Sequence, residues 1–266
     1  MLNLLNYSQN EIEFFRTLLF DYDIRVDGRN KLTLRDHNLY LEVLPSCLSS
    51  LKITYMDNQK EILFAIKGEI VSRDSFRSND KLISVSLDSM YKIEDVKSKK
   101  HIEDLIEELI LSKIDKDALR INQNFEDFYW KLYVDIYVFD VIKMSLLQLL
   151  MIGVKAALRN ISLPRLSVFT NEITGNKEYD LVEVYEDVSE LEKEFSLREL
   201  IKVPDVFVFA ILNNSIFLDP TEEEFSIATT IVIISSYEGK VTNFQSIGSN
   251  VDLQLINDIS GLIKSL

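Results

Sequence analysis

The sequence predicts an α+β protein in which mixed or antiparallel sheets are covered by helices. Residues 130–138 alternate between apolar and polar side chains, the period of two that is typical of a strand with one buried face. From Ser145 onward, apolar residues recur at helical spacing, Gly153 allows close approach to a sheet, and Pro164 follows the predicted helix end. The second half of the chain then repeats the order of strands followed by a helix.

The N-terminal half is predicted to begin with a helix and to continue as strands. Ser8 and Glu11 have the spacing of a capping box, and the apolar stripe after them predicts a helix to about Phe20. The pair Asp27-Gly28 then predicts a turn. Four β-rich runs follow, and we predict that they form one meandering sheet: 39–44, 51–56, 61–71 and 82–87.

A basic stretch leads into the next predicted helix. Residues 91–100 hold the densest group of lysines in the chain, Lys92, Lys97, Lys99 and Lys100. A helical apolar stripe follows over residues 102–110. Acidic residues interrupt the lysines, which favours a solvated run of mixed charge. His101 is predicted to be an exposed residue of the first helical turn.

The C-terminal half is predicted to contain a short strand, an acidic loop, two hairpins and a final helix. Residues 183–199 are strongly acidic and lack a long apolar stripe, so we predict an inserted or extended loop that is helical in part. Asn213-Asn214 and Glu238-Gly239 are turn signals between apolar runs. The strands are predicted at 166–169, 206–212, 215–218, 227–235 and 240–245, and the helix at 251–262.

Composition limits the classes of protein and of site. A chain of 266 residues with 47% hydrophobic content has enough apolar residues for one compact unit. The single cysteine, Cys47, excludes an internal disulfide and is predicted to be a small apolar filler. Because His37 and His101 are far apart in the sequence, no cysteine/histidine metal site is expected. The net charge of -14 opposes extended contact with a phosphate backbone, and 7 glycines provide no nucleotide-cradling loop.

No segment predicts a membrane anchor or a secreted protein. The longest apolar runs, 144–154 and 227–234, are too short to span a membrane. The N-terminus lacks the basic region and the clear cleavage site of a signal peptide. We therefore expect a soluble protein of a reducing intracellular compartment.

Three ordered motifs resemble those of the RNase PH family. They are Asp23-Ile-Arg-Val-Asp-Gly-Arg29, the strand and helix from Tyr133-Val-Asp-Ile to Leu163-Pro164, and Phe217-Leu-Asp-Pro-Thr-Glu-Glu-Glu224 followed by an apolar strand. Within the family they are most similar to the eukaryotic RNA exosome ring subunits that lack phosphorolytic chemistry. The resemblance implies a single RNase PH-like unit over residues 1–266, made of two stacked β-α subdomains, 1–165 and 166–266, without a linker.

The resemblance also implies that the family's phosphate site is degenerate in this chain. Phosphorolytic members place Gly-Ser-Arg at the start of the central helix, where backbone N–H groups and a guanidinium hold phosphate. The corresponding positions are Ser145, Leu146 and Leu147, so an aliphatic residue replaces the arginine. Lys143 is nearby, but a flexible ammonium is a poor substitute for a bidentate guanidinium.

The family's metal site is predicted to be degenerate as well. It uses two acidic residues after a strand, of which the first corresponds to Asp219 and the second to Phe225. A shift of one residue would place a carboxylate of residues 222–224 at the second position, and this alternative stays open. Asp219-Pro220 also fits an ordinary turn, which is the favoured interpretation. No catalytic residue, metal or cofactor is expected.

Two groups of basic residues are candidate RNA contacts. In the family, the segment before the helix that follows the first strands lines the RNA path with arginines. Here that segment holds lysines, so the candidates are Lys97, Lys99 and Lys100, with a solvated charge run as the favoured alternative. Arg25 and Arg29 either contact RNA or, as we favour, brace their own turn through nearby carboxylates.

The leading functional hypothesis is a non-catalytic structural subunit of the RNA exosome. It implies a hexameric ring with other RNase PH-like subunits, S1/KH cap proteins and a path for single-stranded RNA. The expected role is support of 3'-to-5' RNA processing and degradation, including rRNA processing, in the nucleus, nucleolus and cytoplasm, with no membrane partner. The alternatives are an active phosphate-dependent 3'-to-5' exoribonuclease or nucleotidyltransferase, and an acidic interaction protein that has left RNA metabolism.

Overall fold

The computed structural model describes residues 7–72, 81–91, 96–111, 114, 116–122, 125–164, 166–170, 172, 177–181, 194–196, 203–213, 215–249 and 251–264. The helices are α1 (Gln9–Phe20), α2 (Val96–Leu109), α3 (Leu147–Arg159), α4 (Glu222–Ile227) and α5 (Leu253–Ile263), with 3₁₀ turns at Lys116–Leu119 and Met144–Leu146. The strands are β1 (His37–Leu41), β2 (Ser49–Tyr55), β3 (Lys60–Ser72), β4 (Ile83–Ser89), β5 (Arg120–Asn122), β6 (Phe125–Val138), β7 (Ser162–Pro164), β8 (Leu166–Thr170), β9 (Lys177–Leu181), β10 (Glu194–Ser196), β11 (Asp205–Leu212), β12 (Ser215–Leu218), β13 (Thr230–Tyr237) and β14 (Lys240–Gly248).

The N-terminal half forms a six-stranded sheet in the order β1-β2-β3-β6-β4, with β5 paired to β6. The first four of these strands are antiparallel neighbours. Every second residue of β6 lies in the core, as the period of two predicts: Trp130, Leu132, Val134, Ile136 and Val138. The strand predicted at residues 130–138 is therefore confirmed, and it extends back to Phe125.

The predicted meander is wrong for its fourth run. β4 does not pair with β3 but lies beside β6 and runs parallel to it. The chain reaches β6 from β4 through α2, and a long helical crossover joins parallel strands, whereas a meander needs tight turns. The connection after β4 therefore decides where that strand lies.

The central helix α3 contacts both large sheets. On one side, the Ser49 hydroxyl of β2 donates to the backbone oxygen of Ala157 at 2.8 Å. On the other side, the buried amide of Gln148 donates to the Val206 oxygen at 2.9 Å and accepts from the Val208 N–H at 2.8 Å. Buried residues from both halves of the chain form one continuous core around this helix. The prediction of a core helix is confirmed, with a 3₁₀ turn before the α-helix begins.

Gly153 sets how closely α3 approaches the sheet. A Cβ at this position would overlap the buried ring of Phe64 on β3. We therefore expect Gly153→Ala to lower the free energy of unfolding by about 1–3 kcal/mol, because a core this tightly packed must shift to admit a methyl group. The control is Gly261→Ala in α5, where an added Cβ meets nothing within 4 Å. This variant should gain roughly 0.5–1 kcal/mol in urea unfolding, since alanine favours a helix; equal shifts in both variants would contradict the packing argument.

The C-terminal sheet has the order β12-β11-β13-β14, and its central strands β11 and β13 are buried on both faces. In β13, Ile231 and Ile233 belong to the core that contains α3, whereas Val232 and Ile234 pack with Ile259 of α5. Double-sided burial explains why the sequence of this strand is a continuous apolar run rather than an alternating one. Both predicted hairpin turns are confirmed, with positive φ at Asn213 and Gly239.

Three further details differ from the sequence predictions or lie outside the described residues. β13 begins at Thr230 rather than at residue 227, because residues 222–227 form the unpredicted helix α4. The acidic segment 183–199 lies outside the described residues except for β10, which is a strand paired with β7 rather than a loop. The subdomain boundary at residues 165 and 166 stays a prediction. In the part of the chain that the structure describes, every helix is too short or too polar to cross a membrane.

Candidate functional site

An arginine from the N-terminal half is buried against the C-terminal half. Arg25 lies between α1 and β1, and its side chain is 1% exposed. Its Nε and Nη2 donate to the two carboxylate oxygens of Glu224, which is fully buried, at 2.7 and 2.6 Å. Its remaining donors reach the backbone oxygens of Asn30, Leu218 and Asp219 at 3.1, 3.1 and 3.0 Å. All five N–H groups of the guanidinium are thereby used.

A second buried carboxylate, Asp219, is held by two more arginines of the same segment. Its Oδ1 accepts from Arg35 Nη2 at 2.6 Å and from Arg35 Nε at 2.9 Å. Its Oδ2 accepts from the backbone N–H of Arg35 at 2.7 Å and from Arg29 Nη1 at 3.2 Å. The favoured interpretation of Asp219-Pro220 as an ordinary turn is therefore incomplete, because the aspartate is the centre of a buried charge cluster.

The local sequence explains how α4 positions these carboxylates. Asp219 follows the end of β12 and has a φ of 51°, a left-handed conformation that aspartate tolerates better than most residues. The Thr221 hydroxyl accepts from the Glu224 N–H at 3.3 Å, and the Glu224 carboxylate accepts from the Thr221 N–H at 2.9 Å. This capping box fixes Glu224 at the start of α4. One carboxylate thus caps a helix and binds Arg25 as well.

The predicted turn at Asp27-Gly28 is present, and the two arginines that flank it, Arg25 and Arg29, have different partners. The Gly28 N–H donates to the Arg25 oxygen at 2.9 Å, with a φ of 75° at the glycine. Arg29 Nε donates to Asp27 at 2.6 Å, so Arg29 braces the turn as predicted. The principal partner of Arg25 is Glu224, which lies 199 positions further along the chain. The arginines therefore join the two halves of the molecule as well as the turn.

The degenerate phosphate positions lie beside this cluster. Ser145, Leu146 and Leu147 are buried where the 3₁₀ turn meets α3. Arg35 Nη2 donates to the Ser145 oxygen at 2.8 Å, which brings a guanidinium to the helix start. That guanidinium is already bound to Asp219, and Lys143 forms an ion pair with Glu222. The cations near the helix start thus have carboxylate partners within the protein.

The residues at the degenerate metal positions do not fit a metal ion. Both oxygens of Asp219 are bound by arginine donors, and Phe225 is a buried side chain without a ligand atom. Two guanidinium groups within 3.2 Å of the carboxylate oppose a divalent cation electrostatically. Among the described residues, no three or more His, Cys, Asp or Glu side chains are grouped to hold a metal.

The alternative of a carboxylate shifted by one residue meets the same difficulty. Glu224 binds Arg25, and Glu222 binds Lys143. Glu223 is hydrogen-bonded to Tyr7, whose pKa is raised to about 12 by burial and by the neighbouring carboxylates. Each of the three glutamates at residues 222–224 therefore has its own partner within the protein.

The three candidate RNA-binding lysines lie in the first turns of α2. The helix begins at Val96, so Lys97, Lys99 and Lys100 are part of it and do not precede it as the sequence suggested. Lys99 Nζ lies 3.5 Å from Asp88. Lys100 Nζ lies 3.0 Å from Asp104, and this hydrogen bond raises the pKa of the Lys100 ammonium. His101 is exposed, as predicted.

Sequence reasoning missed Arg35 and the role of Glu224. The capping-box pattern of Thr221 and Glu224 would have predicted α4. Arg35 carried no local signal, because its partner Asp219 lies 184 positions away.

Comparison with solved structures identifies the class of fold. No protein-family model matches the chain. An archaeal exosome core has a TM-score of 0.63 and 18% identity, covering 95% of this chain and 91% of that chain. The Archaeoglobus fulgidus exosome with RNA bound to the active site has a TM-score of 0.67 and 17% identity, and the match covers 96% of this chain and 94% of that chain. Rice Rrp46 has a TM-score of 0.57 and 14% identity, and the match covers 91% of this chain and 96% of that chain. The chain has the RNase PH-like fold of exosome core proteins, and the predicted α+β class is confirmed.

A known protein narrows the resemblance. The exosome complex component RRP42 of Saccharomyces cerevisiae is 26% identical over 227 residues, which cover 83% of this chain and 77% of the relative. The sequence motifs resemble the same type, the ribosomal RNA-processing protein forty-two type, more than other ring subunits. The predicted resemblance is confirmed.

Proposed function

We propose that this protein is a non-catalytic structural subunit of the RNA exosome ring. Its role is to support 3'-to-5' RNA processing and degradation, including rRNA processing, by assembly and by lining the RNA path. The observation that carries the proposal is the binding of Asp219 by Arg29 and Arg35. An aspartate that holds two arginines in a buried cluster stabilises the fold and leaves no open ligand position for a catalytic metal.

The proposed partners follow from the same resemblance. They are other RNase PH-like subunits in a hexameric ring, S1/KH cap proteins, and single-stranded RNA within the complex. The proposed locations are the nucleus, nucleolus and cytoplasm. Within the chain, we propose an N-terminal subdomain over residues 1–165 and a C-terminal subdomain over 166–266, joined by the Arg25–Glu224 and Arg35–Asp219 contacts.

The purified chain is expected to show no phosphorolytic or hydrolytic ribonuclease activity. Leu147 stands where a guanidinium is required, and Asp219 is bound by arginines. The test incubates single-stranded RNA with the chain, phosphate and magnesium, and follows RNA length and nucleoside diphosphate release on a gel and by chromatography. An active phosphorolytic enzyme of the same family serves as the positive control. Phosphate-dependent shortening by the wild-type chain, with release of nucleoside diphosphates, would establish the alternative, an active exoribonuclease.

The lysines of α2 are expected to contribute to RNA binding only in the assembled ring. Replacing Lys97, Lys99 and Lys100 together by Glu should weaken RNA binding and reduce its salt slope by up to about 2, since each phosphate contact on a single strand contributes roughly 0.7. Filter binding at several salt concentrations measures both quantities. The control makes the same change of charge at three exposed lysines on other elements, Lys67, Lys240 and Lys264. Identical slopes for the two triple variants would remove the α2 lysines from the RNA path.

A further inference from the structure

Strand β1 is an uncovered edge of the N-terminal sheet. Among the described residues it pairs only with β2. Leu39 and Leu41 share a face with the buried residues Ile53 and Leu51 but are 45% and 50% exposed. Tyr40, on the opposite face, is also 45% exposed. Apolar side chains are therefore open to solvent on both faces of the same strand.

The free edge of β1 also presents unpaired backbone groups. The Glu42 N–H donates to the Ser50 oxygen at 2.8 Å, so the backbone N–H of residue 42 points toward β2. The backbone N–H and C=O groups of successive residues in an antiparallel strand point to opposite sides, so those of Tyr40 point toward β2 as well. The N–H and C=O groups of Leu39 and Leu41 consequently point away from β2, to the outside of the sheet. An edge of this kind is a template for another strand.

Two carboxylates flank this edge. Asp36 precedes β1, Glu42 follows it, and both side chains are exposed. In the part of the chain that the structure describes, neither carboxylate takes part in an ion pair, whereas Lys52 on β2 is paired with Glu61. The edge therefore carries uncompensated negative charge at both ends, within a chain of net charge -14.

The charges disfavour two occupants of the edge. Antiparallel pairing of two copies about Leu39 would place Asp36 of each copy opposite Glu42 of the other, and like charges directly opposite each other destabilise a strand pair. A nucleic acid would bring its phosphates to the same carboxylates. A polypeptide with basic residues meets neither obstacle.

We propose that β1 is a strand-addition site for an extended, basic segment of a partner protein. The segment pairs its backbone with Leu39 and Leu41 and covers their side chains on one face and Tyr40 on the other. Lysine or arginine side chains near its ends reach Asp36 and Glu42. Main-chain hydrogen bonds supply affinity in this mode, and alternate side chains supply specificity. The site goes beyond the proposed role in the exosome ring and does not depend on it.

The test uses the full chain and a synthetic peptide in which valine and threonine alternate, with lysine at each end. Hydrogen exchange and backbone amide shifts should report protection of the Leu39 and Leu41 amides when this peptide binds. Leu41→Pro removes an outward-facing donor without removing a β1–β2 hydrogen bond. We expect it to weaken binding about tenfold or more, and Leu41→Ala, which keeps the donor, to weaken it less.

The charge requirement is tested separately with a peptide that carries glutamate at each end. The wild-type chain should prefer the lysine peptide, and the double variant Asp36→Lys, Glu42→Lys should reverse the preference. Asp258→Lys, on the exposed surface of α5, should leave the preference unchanged. The proposal is overturned by no binding of the lysine peptide, by equal binding of both peptides, or by binding that is unaffected by Leu41→Pro. Self-association of the chain that Leu41→Pro abolishes would overturn it in favour of a second copy.

Discussion

Replacing Arg25 with methionine is expected to lower the free energy of unfolding by about 3–5 kcal/mol, the usual cost of removing one partner of a buried ion pair. The Glu224 side chain is fully buried, and without Arg25 its charge would keep only the capping hydrogen bond from Thr221. The carbonyl oxygen of Leu218 would lose the Arg25 donor as well, whereas that of Asn30 would keep the Thr33 N–H. Urea unfolding followed by circular dichroism measures the change through the midpoint and the slope.

Two comparisons show whether this loss comes from the ion pair. Arg16→Met changes an exposed arginine of α1 and should stay within about 0.5 kcal/mol of the wild type. The double variant Arg25→Met, Glu224→Gln should cost clearly less than the sum of the two single variants, because the second change removes the charge that the first one leaves unpaired. If Arg25→Met matched Arg16→Met, the buried pair would not be holding the two halves together.

The parts of the fold that the sequence predicts are those set by local patterns. Alternation over residues 130–138 predicts β6, and helical spacing after Ser145 predicts α3, because each pattern is carried by residues that are close together in the sequence. The position of β4 is not local. Its apolar pattern fits either edge of the sheet, and the choice is made by α2, which carries the chain across to β6.

The candidate site is harder to predict from the sequence, because its parts are also distant from one another in the chain. The resemblance to the RNase PH family singles out Asp219, but the interpretation of Asp219-Pro220 as an ordinary turn misses helix α4 and the burial of the aspartate. The partners of the aspartate come from Arg29 and Arg35, which lie 190 and 184 positions earlier in the chain. No spacing rule connects groups so distant, so the burial and the charge pairing of Asp219 appear only when the two halves are packed together.

The clustered arginines also affect the charge of the protein surface. Arg25, Arg29 and Arg35 face inward to the two carboxylates of the C-terminal half. Three of the chain's basic side chains are therefore occupied in holding its halves together, and because only two carboxylates are buried with them, the outer surface is more acidic than the net charge of -14 by one charge. A protein with such a surface favours basic partners over extended contact with RNA.

Replacing Asp219 with asparagine is expected to lower the free energy of unfolding by about 3 kcal/mol. This is the lower part of the range for breaking a buried pair, because the side chains of Arg29 and Arg35 are 13% and 16% exposed and keep some access to water. The change conserves shape, so the loss reports the charge and not a cavity. Removing a carboxylate from a metal-binding site would instead tend to raise the free energy of unfolding, because such sites hold negative charge at the expense of stability.

The matched control is Asp27→Asn, which removes the charge of a partner of Arg29 whose side chain is 33% exposed, and it should cost less than about 1 kcal/mol. Thermal unfolding with and without magnesium provides the second measurement. If Asp219 is structural, magnesium should leave the melting temperature of the wild-type chain unchanged, and likewise that of the variant. A melting temperature that magnesium raises in the wild type but not in Asp219→Asn would mean that the aspartate binds a metal, because a ligand stabilises the folded state that binds it. In that case the arginines would have to release the carboxylate, and the proposal of a non-catalytic subunit would fail.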